Sequence, residues 1–576
     1  MPTQVSIQAE PVLDPRGARK QPVDLAKRLT TLEDKSILLF DNTQLSGHLH
    51  IYGQLLEWIR GSLQSKHAAK CSFGSRNLFD GGHKEIIKLA DDISQSSVHA
   101  VVVALCKGGM TQPTSLFAAE LERRGLPCVQ ICTEHGIALA GITAASYVPG
   151  LPIILVDPAT GEGEEFGKTE AEAIIPEIVS GLTTEPTLLL KNFNAKFSAG
   201  DVPSEEGKIS LPVISAIGAD SGSRLLVTIE SGQFAADLYE QLCSADMCDG
   251  FPVIPPSEAR VNAMLALTDL EPDQALVAEC PPSGSSITVK SIAVNAVMAG
   301  CRPEYFPILI AAFQAISEAP YRLFQGAITT HPGGNAVIIS GPLAAEIGIH
   351  SGAGCLGPGF RANATIGRAI NMTIMNVTRA IPNKSDLSVF GSPAEFTYCF
   401  AESIKETPWK PLHEDLYGPE VTSVTVHKCE APHNVLEPRS GGPEALLKTI
   451  AATAATPGGN NLIHLGQLLV LLNPGQARMI AKEGWSKREV KEFLFETARH
   501  PAGASERRHR SVFPPYFHKL EKVPVMRSPE DVIVLVCGGK GPHAMVGIPW
   551  GLASAVSRAV TRKDGSPIKT IKELMR

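Results

Sequence analysis

Several features that would assign a protein to a class at first sight are missing from this chain of 576 residues. Its 12 cysteines include no CxxC pair, which argues against a zinc knuckle and a disulfide framework. Its longest apolar runs fall far short of the roughly 20 residues that span a membrane. The N-terminal segment lacks the apolar core of a secretory signal. We therefore expect a soluble, cytoplasmic protein with reduced thiols and no membrane partner.

An excess of positive charge is missing as well. The chain holds 52 Lys and Arg residues against 59 Asp and Glu residues, which gives a net charge of -7. A dedicated nucleic-acid binder usually carries a basic surface, so we expect no nucleic-acid partner. Hydrophobic residues make up 44% and charged residues 19% of the chain, which is typical of a globular protein with a sizeable core. The sequence leaves open whether the chain forms a homo-oligomer.

Strand-like and helix-like segments alternate over the first third of the chain. Short β-branched runs are followed by segments with helical periodicity, and this order predicts a parallel sheet covered by helices on both faces. In such sheets ligands bind outside the carboxyl ends of the strands. The predicted strands are SILLFD (36–41), HAVVVAL (99–105), PCVQIC (127–132) and PIILVD (152–157).

The rest of the chain is rich in glycine and proline and returns to an α/β pattern. We predict the α/β class, with an N-terminal Rossmann- or flavodoxin-like three-layer domain followed by a larger Gly/Pro-rich α/β region. The predicted units are an extended arm (1–30), the α/β domain (31–182), a linker (183–230) and the C-terminal region (231–576), which a polar break near 430–445 could divide.

The loop after the predicted strand 99–105 is the first candidate site. Cys106 and Lys107 follow the strand, and Gly108, Gly109 and Thr111 lead into a helix. Backbone N–H groups at a helix start attract anions and stabilise thiolates. Cys106 is therefore either an activated thiol or the last buried residue of its strand. The loop itself is a candidate binding site for a carboxylate or phosphate.

A similar order of strand, cysteine and glycines occurs near the C-terminus. VIVLVCGGKGPHA (532–544) repeats the pattern of VVVALCKGGMTQP (101–113), and a helix is expected after both loops. The repeat indicates either a duplicated half-site or two ordinary α/β turns. If the segment 532–544 is a duplicated half-site, Cys537 and His543 are candidate ligand-binding residues.

A second glycine-rich loop surrounds Cys355 and runs into a predicted helix that begins with Arg361. Arg361, Asn363 and Thr365 lie in the first turn of that helix, where backbone donors, a guanidinium and a hydroxyl suit an anionic ligand. The segment is either a functional pocket or a structural turn. Cys355 is a candidate nucleophile, and a small buried cysteine is the alternative.

Histidines beside turns are the candidate bases. His331 precedes a Pro-Gly-Gly turn that is expected to expose it, and His331 or His350 is the candidate base for Cys355. A metal site would require scattered histidines such as His331, His350, His433 and His543 to converge. No local motif demands one, so no metal is assigned.

Several N-terminal segments carry a family signature. They are VLDPRG (12–17), LAKRLTTLEDKSILLFDN (25–42), the strand and loop at 101–111, and AAELERRGLPCVQICTE (118–134). Together they resemble the UGSC family, whose members are related to the selenoprotein B subunits of glycine reductase. The region from DGFPVIPP (249–256) to GWSKREV (484–490) resembles the C-terminal extension of long members.

The resemblance implies the fold but not the redox chemistry of the family. In that family a strand leads into U/C-G-S-C-T, whose first Sec or Cys is the redox nucleophile. Aligning Thr111 with the family threonine puts Lys107 at the Sec/Cys position and Met110 at the second Cys. Both redox positions are therefore replaced, and Cys106 lies one residue upstream.

Three classes of function follow from these patterns. The first is an enzyme that acts on a small anionic metabolite by thiol-assisted reductive or lytic cleavage of a C–N, C–S or C–X bond. In it Cys106 or Cys355 would attack, Arg361 would hold a carboxylate and His331 would transfer a proton. The second is a non-redox lyase or hydrolase that uses histidine, with or without a metal. The third is a non-catalytic ligand-binding descendant. No nicotinamide or flavin fingerprint occurs, so the cofactor is unknown.

Overall fold

The computed structural model describes residues 12–17, 21–42, 49–106, 108–156, 167–199, 209–211, 224–225, 234–437, 441–501 and 521–574. The elements of the first part are β1 (Val12–Leu13), β2 (Ser36–Asp41), α1 (Leu49–His67), β3 (Lys70–Ser75), α2 (Leu78–Ser94), β4 (Ala100–Cys106), α3 (Thr111–Arg123), β5 (Cys128–Cys132), α4 (Glu134–Tyr147), β6 (Ile153–Leu155), α5 (Lys168–Ala173), α6 (Ile175–Thr183), α7 (Pro186–Lys196) and β7 (Phe197–Ala199).

The middle part continues with β8 (Ile209–Leu211), β9 (Arg224–Leu225), α8 (Phe234–Ser244), α9 (Glu258–Leu265), β10 (Ala275–Cys280), β11 (Ser285–Thr288), α10 (Val289–Ala299), α11 (Phe306–Ile316), α12 (Leu323–Ala327), β12 (Gly334–Ser340), α13 (Pro342–Glu346), α14 (Arg361–Thr378), β13 (Cys399–Ala401), α15 (Leu412–Tyr417), β14 (Ser423–Cys429) and β15 (His433–Leu436). The last part contains α16 (Pro443–Ala454), α17 (Asn461–His464), β16 (Leu468–Leu472), α18 (Pro474–Lys482), α19 (Lys487–Thr497), β17 (Arg499–Pro501), β18 (Lys522–Pro524), β19 (Val532–Val536), β20 (His543–Gly547) and β21 (Val556–Ala559).

The N-terminal part is a parallel sheet in the order β3-β2-β4-β5-β6. Numbered along the chain, this is the strand order 2-1-3-4-5 of flavodoxin-like folds. All seven residues of β4 are buried. Val101 and Val103 face one core cluster, while Val102 and Ala104 face the other, as expected for a strand covered on both faces. The predicted α/β fold is confirmed, including the parallel sheet.

Two mixed sheets form the centre of the C-terminal region. Their strand orders are β13-β12-β14-β21 and β15-β20-β16-β19. Ala336 and Ile338 of β12 share a core cluster with Leu469 and Leu471 of β16, so the two sheets pack face to face. The opposite face of the first sheet packs against α10, α11 and α14, and that of the second against α16, α18 and α19. The result is a helix–sheet–sheet–helix arrangement.

One local prediction is wrong, and the expected linker contains a helix. The helix α7 begins at Pro186 and buries Leu189 and Phe193, which are one helical turn apart. The segment after Cys537 leads into the strand β20 and not into a helix, because it pairs with β15 and β16. The two similar segments, 101–113 and 532–544, therefore have the same structure only as far as their glycines, because α3 follows the first and β20 follows the second. The proposed domain boundaries stay predictions. No helix among the described residues is long and apolar enough to cross a membrane.

The N-terminal part and the C-terminal region contact each other around the ends of α12 and α14. Ile328 and Ala380 belong to the same core cluster as Phe117 of α3. Met110, in the loop after β4, packs against the cluster of Trp550 and Ala553. These contacts join the region after β4 to the part of the C-terminal region that contains the cavity described below.

Candidate functional site

A cavity of about 490 Å³ opens among α12, β12, α14, β14 and residues 380–396. Its wall combines apolar side chains, among them Met372, Ile374 and Met375 of α14, with several buried polar groups. A mostly apolar cavity with few polar groups is the usual form of a small-molecule site.

Lys428 is the most unusual of these groups. It lies on β14 and shares a side of that strand with Val424 and Val426, and only 7% of its surface is exposed. Its ammonium group has no hydrogen-bond or ion-pair partner among the described residues. Burial lowers the pKa of Lys428, and the charges of Glu395 and Asp386 oppose that effect. A buried cation without a partner is costly, and a bound anion would offset that cost.

Asp386 carries the second perturbed charge in the cavity. Its carboxylate accepts a hydrogen bond from the backbone N–H of Ser388 at 3.0 Å. The pKa of Asp386 is raised to about 6, mainly by burial and to a smaller extent by the charge of Glu395, while the Ser388 hydrogen bond and the charge of Lys428 oppose the increase. A carboxyl group that titrates near neutral pH can both donate and accept a proton under physiological conditions.

A directed chain of hydrogen bonds reaches the cavity through Asn371. The hydroxyl of Tyr321 donates to Asn335 Oδ1 at 2.6 Å, and Asn335 Nδ2 donates to Asn371 Oδ1 at 2.7 Å. Burial raises the pKa of Tyr321, which keeps its hydroxyl a donor. Because both amide oxygens accept, Asn371 Nδ2 is a donor, and it is buried without a partner in the described part of the chain. Asn371 and Lys428 therefore provide two donors that lack acceptors.

His331 also lines the cavity, as part of a pair with Glu430. The Nε2 atom of His331 lies 3.0 Å from Glu430 Oε1, while Nδ1 is buried with no partner among the described residues. The Pro-Gly-Gly turn does not expose His331 as expected, since only 10% of its side chain is accessible. The contact between Glu430 and Nε2 fixes the orientation of the imidazole ring at the cavity wall.

Cys355 lies elsewhere, so the proposed pair of Cys355 with His331 as its base is not assembled. Neither Cys355 nor Cys106 is among the residues that line the cavity. Cys355 instead lies in the same buried core cluster as Cys537. The Nε2 atom of His350 lies 2.9 Å from the carbonyl oxygen of Ala353, and the role of His350 as a base for Cys355 stays a prediction.

The other residues of the Cys355 segment make local contacts. Arg361 donates from Nε and NH2 to the carbonyl of Gly300, at 3.0 and 2.9 Å, and Thr365 donates to the carbonyl of Arg361 at 2.8 Å. Asn363 donates to the carbonyl oxygen of Cys355 at 3.0 Å, which fixes the loop. These contacts use the polar groups that the sequence assigned to a ligand.

The loop after β4 lies at the carboxyl end of the parallel sheet, where ligands bind in this fold. Cys106 is buried next to Cys132 of β5, and Gly108 and Gly109 belong to a short turn before Thr111. The hydroxyl of Thr111 is buried without a partner among the described residues. Lys107 is outside the described residues. The proposed anion site in this loop stays a prediction.

The remaining candidates do not converge on one centre. His543 is exposed on β20, and its Nδ1 lies 2.8 Å from Asn434 Oδ1. Within the described ranges, no group of three or more His, Cys, Asp or Glu residues lies close enough to hold a metal ion. Of the histidines named as possible metal ligands, His331 contacts Glu430 and His350 contacts the carbonyl oxygen of Ala353.

Lys428, Asp386, Asn371 and Glu430 were not predicted from the sequence. For Lys428 a signal exists: in SVTVHKC (423–429) the lysine shares the period-2 face of two core valines. A lysine on the apolar side of a strand indicates a buried charge with a function. Asp386 follows a turn in NKSD, and nothing in that segment reveals its burial.

The match to a known protein family lies in the N-terminal part of the chain. A search of curated proteins found no match. Residues 11–184 match the family model described as the UGSC family. This range contains β1 to α6 and the loop after β4. The resemblance to the UGSC family is therefore confirmed for residues 11–184.

Proposed function

We propose that the chain is an enzyme that acts on a small anionic metabolite bound in the cavity beside Lys428. The observation that carries the proposal is the buried ammonium group of Lys428, which has no partner within the described ranges and faces a cavity large enough for a metabolite. An anionic ligand would provide the partner that this group lacks. A charge-assisted hydrogen bond of this kind contributes about 1.5–3 kcal/mol.

The two donors define how the ligand would bind. Lys428 would contact a carboxylate or another anionic oxygen, and Asn371 Nδ2 would donate to a second oxygen. The side chains of Met372, Ile374 and Met375 would contact the carbon skeleton of the ligand. This combination favours a carboxylate with a short apolar part.

The carboxyl group of Asp386 supports proton transfer at the bound ligand. Its pKa of about 6 leaves both protonation states populated near neutral pH. With Lys428 stabilising negative charge that develops on the ligand, the cavity could remove a proton and return it. The pair of His331 and Glu430 is a second candidate acid–base group on the same wall. These groups favour a non-redox lyase or hydrolase.

The thiol-assisted alternative remains a separate hypothesis. It would require the substrate to reach Cys106 or Cys355, and neither cysteine lines the cavity. Cys106 would act at the carboxyl end of the parallel sheet, where the family has its redox residues. The acid–base proposal needs no thiol, so serine substitutions at both positions separate the two hypotheses.

The test is a thermal-shift panel of short carboxylates, dicarboxylates, 2-oxo acids and phosphate monoesters on the full chain. We expect at least one carboxylate to raise the Tm of the wild type and of K405M, a control at an exposed lysine. The same compound should not raise the Tm of K428M. A hit is then incubated with the protein and followed by proton NMR. Turnover supports the enzyme, whereas binding without turnover favours the ligand-binding descendant. Equal Tm shifts in K428M contradict the proposal.

A further inference from the structure

Two cysteines that are far apart in the sequence meet at the edge of the second mixed sheet. Cys537 directly follows β19, and Cys355 lies in the loop between α13 and α14. The backbone N–H of Gly538 donates to the carbonyl of Ser351 at 2.8 Å, and Gly352 forms an isolated bridge with Gly538. Both cysteine residues belong to one core cluster. The two loops are thus held together by backbone contacts next to the thiols.

The two thiols are not equivalent. Interaction with the thiol of Cys537 is the largest cause that lowers the pKa of Cys355, and hydrogen bonds from the backbone N–H groups of Gly538, Cys355 and Leu356 act in the same direction. Burial opposes this effect. The pKa of Cys537 is raised, mainly by the same interaction and by burial. Cys355 is therefore the more acidic thiol of the pair.

Cys355 is buried, but the loop that carries it is exposed. Cys355 is only 4% exposed, but its loop neighbours Ala353, Gly354 and Gly357 are exposed. A small reagent therefore has to pass only this loop to reach the sulfur. The charge of Glu402 contributes to the raised pKa of Cys537, and Glu402 Oε1 is buried without a hydrogen-bond partner among the described residues.

We propose that Cys355 and Cys537 form a redox-active dithiol that a hydroperoxide oxidises to a disulfide. The Cys355 thiolate attacks one peroxide oxygen, the O–O bond breaks, and the sulfur becomes a sulfenic acid while the other oxygen leaves as water or an alcohol. The Cys537 sulfur then attacks the sulfenic sulfur, the S–S bond forms, and a water molecule leaves. Two thiols are oxidised and one peroxide is reduced. Nothing in this step involves the cavity beside Lys428.

The test maps disulfides by mass spectrometry after the full chain is treated with hydrogen peroxide. The chain offers a control pair, Cys243 and Cys248, which also interact and are more exposed. Burial raises the pKa of Cys248 to about 12, which makes this thiol a poor nucleophile at neutral pH. We expect the Cys355–Cys537 disulfide to form first and to disappear on reduction with dithiothreitol.

Two variants resolve the order of the steps. In C537S, dimedone should label Cys355, because the sulfenic acid has no resolving thiol. In C355S, Cys537 should stay reduced. The proposal is overturned if Cys243 and Cys248 are oxidised while Cys355 in the wild type stays a thiol. It is also overturned if Cys537 is oxidised at the wild-type rate in C355S. The wild-type map needs no variant, so a folding defect in either variant does not decide the result.

Discussion

Lys428 and Asp386 face one cavity, and burial shifts the pKa of each towards the neutral form of the side chain. Each charge partly offsets the shift of the other, yet for both groups burial is the largest cause. The two residues are 42 positions apart and come from a strand and an irregular segment. The tertiary fold therefore creates the environment that the two residues share. Their shifted pKa values predict how stability depends on pH.

Asp386→Asn should stabilise the protein above pH 6. The pKa in the folded state, about 6, lies above the ordinary value of 3.8, so the native state holds this proton more tightly than the unfolded state. The free energy of unfolding therefore falls as pH rises from 3.8 to 6. Because Asp386 is partly exposed, we expect D386N to recover about 2 kcal/mol at pH 8 and little at pH 4. Urea unfolding at both pH values measures this, with D273N as the exposed control. An equal effect at both pH values would contradict the assignment.

His427 should make the fold sensitive to acid. Burial lowers the pKa of His427 to about 4 from 6.5, and its Nε2 lies 2.8 Å from the carbonyl oxygen of Gln467. Between pH 6.5 and 4 the unfolded chain takes up a proton that the folded chain excludes, so stability falls as pH falls. The loss should approach about 3 kcal/mol across this window. The H427Q variant should lack this part of the pH dependence in urea titrations. A slope identical to that of the wild type would show that His427 is not its source.

Gly136 should not tolerate a side chain, because α4 approaches the loop after β4 closely. A Cβ atom at Gly136 would lie 2.5 Å from Thr111 Oγ1 and 2.7 Å from the carbonyl oxygen of Cys106. We expect G136A to cost about 1–3 kcal/mol of stability, as overpacking usually does. The matched control is G61A on the exposed side of α1, where a Cβ meets nothing within 4 Å. That variant should gain about 0.5–1 kcal/mol. Denaturation curves measure both stabilities. If both variants are more stable than the wild type, or both are less stable, this packing is wrong.

Tyr321→Phe should weaken carboxylate binding without a direct contact to the ligand. The hydroxyl of Tyr321 fixes the orientation of Asn335, which in turn fixes that of Asn371. Without it, the amide groups are free to reverse, and the donor at Asn371 is no longer assured. We expect a loss of about 1 kcal/mol, roughly fivefold in Kd. Isothermal titration of the carboxylate from the thermal-shift panel measures the change. Unchanged affinity would mean that Asn371 does not hold the ligand.

The sequence predicted the N-terminal fold well because its signals are local. Runs such as HAVVVAL (99–105) are continuous and β-branched, and the structure has β4 at Ala100–Cys106. The candidate site was harder because it depends on which ends of the strands meet. His331 precedes the first residue of β12, and Cys355 follows its last residue. The seven residues of β12, at a rise of about 3.3 Å each, separate the two ends of the strand. Their closeness in the sequence therefore suggested a pair that the strand keeps apart.

The groups that meet in the cavity have no shared motif. Lys428 could have been recognised by its place beside two core valines, but its neighbour Asp386 could not, because its burial depends on packing of residues 380–396. The pairing of Cys355 with Cys537 has the same origin. It depends on contacts between a loop and a strand end that are 182 residues apart.

The most direct measurement is a crystal structure of the full chain with the carboxylate that raises the Tm most. We predict that its carboxylate lies within hydrogen-bond distance of Lys428 Nζ, that a second oxygen lies near Asn371 Nδ2, and that its carbon skeleton packs against the methionines of α14. Density for the same compound at the loop after β4, or beside Arg361, with an empty cavity at Lys428, would contradict the proposed binding site.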